Sequence, residues 1–306
     1  MNTNINYEFN NLKFFEAYNL LKKILLEING NNTFESEYQA KLILAYASGG
    51  DISKIIGLRW NEQIPEETAR EIDKITKRRI KNEPLQYIIG ETEFYGRRYK
   101  VCPDVLIPRG DTECIVSEAV DFLSETIKKN LNTTLKIIDI GTGSGAIAVT
   151  IACEMIDKNN KLEIYAADIS ENALKVASEN AELNLCADKI KFIKSDIYSF
   201  FENTDLKFDL IISNPPYISE TEYVNLRPEI FFEPKNALTA PDNGTLFYKK
   251  IFEDAALYLN EGGSVICEFG FGMYDEIEKI ATVNNFKNIK KIYDIERRIR
   301  GVKVWA

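Results

Sequence analysis

Histidine is absent from the 306-residue sequence, which removes His-based triads, imidazole metal sites and imidazole proton shuttles at once. The five cysteines, Cys102, Cys114, Cys153, Cys186 and Cys267, are scattered, with no Cys-x-x-Cys and no metal spacing. They read as reduced thiols of a cytoplasmic protein, and no metal is expected. No stretch reaches the ~18 apolar residues of a membrane span, and the Asn-rich residues 1–9 lack a basic-then-apolar secretion signal. Excess positive charge is missing too: 38 Lys and Arg against 47 Asp and Glu give a formal net charge of −9. That balance disfavours a protein whose main business is gripping phosphate backbones, so no direct nucleic-acid binding is expected. Basic clusters at 77–81, 97–100 and 297–303 read as solvated helix and loop faces.

What remains is an ordinary globular composition in a chain long enough for two domains. Residues 1–83 read as a small helical bundle. Phe14, Phe15, Tyr18, Leu21, Leu25 and Ile28 make one stripe, and Tyr38, Leu42, Leu44 and Ala45 begin a second, stopped by Gly49-Gly50. Ile72, Ile75 and Ile80 continue a third helix after Pro65. Residues 84–111 change character: short β-rich pieces at 87–89, 94–95 and 99–102, broken by Gly90, Gly96 and Pro103, predict a hairpin linking two domains. A helix over 112–129 follows, with Asp111 or Thr112 able to cap it. Residues 112–306 then alternate apolar strands (135–140, 163–167, 190–194, 208–213, 263–269) with helices (146–156, 171–184, 246–259, 274–284). The chain ends in two strands joined by a charged hairpin. This alternation predicts an α/β domain, a mostly parallel sheet with helices on both faces.

The strand Ile137-Ile138-Asp139-Ile140 runs into Gly141-Thr142-Gly143-Ser144-Gly145. Glycines there let the backbone turn tightly and approach a ligand, and the helix beyond offers free amides. The second strand ends in Asp168, whose carboxylate suits both hydroxyls of a ribose. The third ends Ser195-Asp196-Ile197, an acid for an adenine amino group and an aliphatic side chain for its ring. These residues fit either NAD or S-adenosylmethionine (SAM). Asp139 is placed either to reach a cationic amino group or to pack at the strand end.

The fourth strand ends in Asn214-Pro215-Pro216-Tyr217, at the carboxyl edge where open α/β sheets bind ligands. An amide nitrogen is a poor nucleophile because its lone pair is delocalised. The Asn214 side-chain oxygen and the Pro215 carbonyl can each accept one N–H of an –NH2 group. Pro216 fixes the local backbone, and Tyr217 offers a flat face for a planar amide or base. Held in line with a methyl donor, such a nitrogen needs no general base if its proton leaves after transfer.

In these motifs the chain resembles the protein-(glutamine-N5) methyltransferases that modify class I peptide-chain release factors. The resemblance runs through Glu83-Pro84-Leu85-Gln86-Tyr87-Ile88-Ile89-Gly90, Glu93-Phe94-Tyr95-Gly96 and Val105-Leu106-Ile107-Pro108-Arg109 with Thr112-Glu113. It continues through the glycine loop, the Asn214 turn, and Phe232-Glu233-Pro234 with Ala237-Leu238. It implies a class I SAM-dependent methyltransferase with a Rossmann-like, seven-stranded sheet whose last strand is antiparallel. It also implies an N-terminal helical domain that recognises the release factor, and methylation of the glutamine of a Gly-Gly-Gln loop; a monomer is expected. By the same resemblance, Gly141 to Gly145, Asp168 and Ile197 line the SAM site, to which the strand-end reading adds Asp139, Asp196 and Asn214 as expected SAM-binding residues. Asn214 to Tyr217, with Phe94 and Arg109, hold the glutamine, and Asn214, Pro215 and Tyr217 are catalytic.

Three features depart from the family pattern: Gly110 stands for a proline and loosens the loop, Phe269 and Met273 stand for His and Gln, and the hairpin 296–301 differs. Of the competing readings, an adenine-N6 nucleic-acid methyltransferase shares the Asn214 turn but calls for a basic recognition region. A non-catalytic SAM-binding protein has no need of Asn214. An NAD-dependent oxidoreductase lacks an evident proton donor.

Overall fold

Two compact units, Met1–Ile89 and Gly90–Ala306, make up the protein in a computed structural model. The structure describes residues 8–50, 52–129, 134–155 and 162–306.

The first unit is helical. Helix α1 (Phe14–Ile28) buries Phe14, Ala17, Leu21, Ile24 and Leu25. Helix α2 (Thr33–Ala47) starts where the Asn32 side chain accepts the Glu35 N–H at 3.1 Å. Its buried face is Ser36, Gln39, Ala40, Ile43 and Leu44, whereas Tyr38 of the expected stripe is exposed. The polar members of that face have a reason. Arg79, at the end of α4 (Glu66–Arg79) and fully buried, donates to Gln39 at 3.1 Å and to Asn29 at 2.9 Å. A buried guanidinium demands such acceptors. Between α2 and α4 lie a single turn, α3 (Ile52–Lys54), and a π-helical turn, Ile55–Arg59.

Residues 87–89, expected as β-rich, belong instead to helix α5 (Leu85–Ile89). Pro84 presets the first turn, its carbonyl accepts the N–H groups of Tyr87 and Ile88, and Leu85, Tyr87 and Ile88 are buried. Tertiary burial overrides their β propensity.

The second unit opens with the hairpin β1 (Glu91–Phe94) and β2 (Arg97–Lys100). Its two-residue turn, Tyr95-Gly96, has positive φ at both positions, the geometry that matches strand twist. Helix α6 (Glu113–Lys129) follows a 3-10 turn, Gly110–Thr112. Neither Asp111 nor Thr112 caps α6 as expected. Asp111 pairs with Arg300 at 2.8 Å, and Thr112 accepts from Asn214.

Then come β3 (Leu135–Ile140), α7 (Ala146–Met155), β4 (Leu162–Asp168), α8 (Glu171–Leu183), β5 (Ile190–Lys194) and β6 (Phe208–Ser213). The expected end of α7, Ile156, lies outside the described residues. After short turns, α9 (Glu220–Tyr223) and α10 (Pro241–Gly244), the chain forms α11 (Leu246–Tyr258), β7 (Leu259–Glu268), α12 (Tyr274–Val283), β8 (Asn288–Tyr293) and β9 (Ile299–Trp305).

The seven strands lie in the order β5-β4-β3-β6-β7-β9-β8. Strands β3 to β7 pair in parallel, and β9 is antiparallel to both its neighbours. One core lies under α6, α7 and α8, and a second lies under α11 and α12. The strand order reverses between β3 and β6, and their register, Ile140 opposite Ser213, places Gly141 beside Asn214. Open α/β sheets bind ligands at this switch point. Among the described residues no helix is long and apolar enough to cross a membrane, and no acidic or sulfur cluster has metal-binding form.

Candidate active site

A cavity opens at the switch point. Gly141 and Gly143, both at positive φ, line it, and beyond Gly141 a Cβ would meet open space. Gly145 serves a different purpose: a Cβ there would stand 3.0 Å from that of Ala177 on α8. It lets the helix approach the loop. Thr142 and Ser144 are buried and do not line the cavity.

Asp168 lines the cavity and braces it. Its carboxylate accepts the Gly143 N–H at 2.8 Å and the Ser170 N–H at 2.9 Å, while burial pushes its pKa up. Exposed Asp196 and half-buried Ile197 form the wall beyond it. Ile197 has φ +54°, a left-handed backbone that a β-branched residue rarely tolerates. The Ser195 hydroxyl donates to the Ile197 carbonyl at 2.9 Å and accepts the Phe200 N–H at 3.1 Å, which pins that conformation.

Asp139 lies behind the wall. It is fully buried, and its Oδ2 accepts from the Thr142 hydroxyl at 2.6 Å and the Ala148 N–H at 3.2 Å. Burial pushes its pKa up to about 7, and Oδ1 has no partner. Strand alternation explains the placement: Ile140 faces the cavity, so Asp139 faces α7. Of its two expected placements, the structure gives the strand-end one.

A second cavity adjoins the first. Asn214, Pro215 and Pro216 line both. The Asn214 amide nitrogen donates to the Thr112 hydroxyl at 3.1 Å. Tyr217, Ile218, Leu226, Ile230 and Leu238 make an apolar lining, with Arg109 at the edge. Two glycines hold Tyr217. A Cβ on Gly270 would stand 3.0 Å from its ring, and one on Gly244 would stand 2.1 Å from its carbonyl oxygen. Burial pushes the Tyr217 hydroxyl up to about 12, so it stays protonated near neutrality.

Arg109 forms an ion pair with the buried Glu233, which also accepts the Ile107 N–H at 3.1 Å. That contact joins Ile107-Pro108-Arg109 to Phe232-Glu233-Pro234, two segments far apart in sequence. Phe94 is displaced from its expected place: it is 1% exposed, packed edge-on against Tyr99 at 5.9 Å, and lines neither cavity. Its side of the hairpin faces the core under α6 and α7, so it stiffens the unit instead of touching a ligand.

The departures also find their places. A Cβ on Gly110 would meet nothing within 4 Å, so no steric contact there requires glycine. Phe269 is core, Met273 packs with Tyr217 in the same apolar cluster, and the final hairpin joins Arg298 and Arg300 to Asp294 and Asp111. Sequence reasoning missed Thr112, Gly244, Gly270 and Glu268 as site residues. Only Glu268, an acid at a strand end, carries the kind of signal that singled out Asp168.

Residues 115–248 match the methyltransferase small domain family, and residues 19–90 match the PrmC N-terminal domain family. A release factor glutamine methyltransferase of Fusobacterium nucleatum is 39% identical over 76% of this chain and 63% of its own length. One from Bacillus subtilis is 38% identical over 84% of this chain and 85% of its own. The chain thus spans less than two thirds of the Fusobacterium protein. A solved human methyltransferase 10 domain containing protein shares the fold, with a TM-score of 0.50 at 18% identity over 69% of this chain and 89% of that one. Two families matched in tandem, and relatives above 30% identity along most of the chain, agree with the site's geometry: the chain belongs to the release factor glutamine methyltransferase family.

Proposed function

We propose that this protein transfers a methyl group from SAM to the side-chain amide nitrogen of the glutamine in the Gly-Gly-Gln motif of class I release factors. The observation that carries the reading is that Asn214, Pro215 and Pro216 form the wall shared by two cavities. One cavity is built for a nucleoside, and the other is apolar and open to a side chain.

The residues of the first cavity fit SAM. Gly141 leaves open space where a Cβ would stand, Asp168 presents a carboxylate for a ribose, and Asp196 and Ile197 suit the edge and face of an adenine. When bound, SAM supplies an electrophilic methyl on a sulfonium. The Asn214 side-chain oxygen and the Pro215 carbonyl accept the two N–H groups of the glutamine amide, turning its nitrogen towards the first cavity. The Tyr217 ring lies in the second cavity's wall as a stacking face. Held there, the amide nitrogen would take the methyl that bound SAM supplies, the sulfur keeping the electron pair, and one N–H proton would leave to solvent. Both carbonyl dipoles stabilise the positive charge that grows on nitrogen.

Residues 1–83 act as the docking domain for the folded factor. Remote binding energy of this kind lowers KM for the whole protein.

Two results test the reading. Asp168→Ala weakens S-adenosylhomocysteine binding in calorimetry by about 1–3 kcal/mol, because a charge-assisted ribose contact and the tether to Gly143 are lost together. Tight NAD binding without SAM binding would remove the proposed cofactor. In labelling with tritiated SAM, a folded release factor outcompetes both a short Gly-Gly-Gln peptide and duplex DNA. An acidic protein has little counterion release to draw on for DNA. Preferential labelling of DNA would make the acceptor an adenine amino group.

A further inference from the structure

One buried acid at the site has no part in the mechanism above. Glu268 ends β7, and the pairing of Ser213 with Cys267 sets it beside Asn214. It is 2% exposed, and its Oε2 has no hydrogen-bond partner. The carboxyl lies near the Thr112 hydroxyl and the Asn214 carboxamide, and both favour its charged form. It lines neither cavity and therefore acts on no ligand directly. A carboxylate kept in such a place works against its own burial cost.

The need it meets lies in Asn214. A carboxamide presents an acceptor and a donor of nearly the same shape, and half a turn exchanges them. With nitrogen turned to the second cavity, Asn214 would repel the N–H groups it has to accept. One Asn214 N–H is already donated to Thr112 at 3.1 Å. We propose that Glu268 is a positioning residue for Asn214: with Thr112 it engages the amide nitrogen side and leaves Oδ1 facing the acceptor nitrogen. As a carboxylate it also polarises the Asn214 amide, making Oδ1 a better acceptor for a nitrogen gaining positive charge. This inference rests on the reading of Asn214 given above.

The protonation state of Glu268 follows from its surroundings. Burial, with a smaller push from Asp111, brings it up to about 7 against the lowering effects of Thr112, Arg300 and Asn214. Cys114 on α6, Tyr217 after β6 and Tyr248 on α11 are the other titratable groups near it. Protonation removes the polarising charge, so turnover rises with pH through about 7. Stability runs the other way. The unfolded chain ionises at the ordinary carboxylate value, so stability from this group is present below that value and is lost as pH rises through about 7.

The test is steady-state methylation of a release factor by wild type, Glu268→Gln and Glu268→Ala across pH 6–9, with S-adenosylhomocysteine affinity and melting temperature measured alongside. Glu268→Ala is expected to lower kcat by at least about 10-fold, with KM and cofactor affinity within about threefold. Glu268→Gln keeps one carbonyl acceptor and loses less, is nearly isosteric and so carries the test if the alanine variant unfolds, and lacks the rising limb near pH 7. Variants with wild-type kcat, a limb that persists in Glu268→Gln, or losses of cofactor affinity that track kcat would each overturn the proposal. Failure of the wild-type protein to methylate the factor would instead overturn the reading of Asn214 on which it rests.

Discussion

Replacing Asn214 by alanine lowers kcat for methyl transfer by at least ~100-fold and leaves SAM affinity within about threefold. The size follows from what one side chain does in the proposed site. It accepts an N–H, orients the amide nitrogen towards the first cavity, and places a dipole where positive charge develops. Its position is fixed from behind by Thr112 at 3.1 Å and from below by β6, which Ser213 ties to the Ile140 carbonyl at 2.7 Å. Alanine removes the acceptor without filling either cavity, so binding and chemistry separate. Single-turnover rates with saturating SAM, compared with calorimetric affinity, distinguish the two. A variant that keeps more than half of wild-type turnover contradicts this role for Asn214.

Gly244→Ala is expected to damage the same site from a position that touches no ligand. Gly244 has φ +86°, and an added Cβ would stand 2.1 Å from the Tyr217 carbonyl oxygen and 2.9 Å from its carbonyl carbon. Backbone cannot yield as a flexible side chain does. Strain of this kind costs about 1–3 kcal/mol before the clash is counted, and at about 2–4 °C per kcal/mol for a unit of this size, melting falls measurably. Relief requires moving either the turn at Pro241–Gly244 or Tyr217 itself, and the second disturbs Asn214 and Pro215. The expected result is a fall in both melting temperature and kcat, the latter by about 10-fold or more, since displacements near 1 Å are enough for such losses. Unchanged kinetics would show that Tyr217 does not depend on this packing.

The sheet was legible in the sequence because short, mostly apolar segments alternate with helical ones and run into Gly141, Asp168, Asp196 or the Asn214 turn. Strands β3, β5 and β6 coincide with the runs at 135–140, 190–194 and 208–213. The glycine loop and the Asn214 turn were legible for the same reason, since both stand at strand ends where the fold gathers its ligands. Elsewhere the local pattern misled. Residues 87–89 look like strand but are recruited as helix by burial after Pro84. Phe94 carries a family motif but points into the core. Between β6 and α11 the chain is built of short turns with left-handed residues at Asp242, Asn243 and Gly244. Such turns leave no periodicity to read. The pairing of Arg109 with Glu233 and the placing of Glu268 beside Asn214 depend on strand order, which pattern alone does not supply.

The central claim, that the acceptor is the amide nitrogen of a release-factor glutamine, is tested most directly by mass spectrometry of a release factor incubated with the protein and SAM. The account predicts a gain of one methyl group, located by fragmentation on the glutamine of Gly-Gly-Gln, and no gain with Asn214→Ala over the same interval. An unmodified glutamine, with methyl transferred instead to duplex DNA or to another residue of the factor, would contradict it.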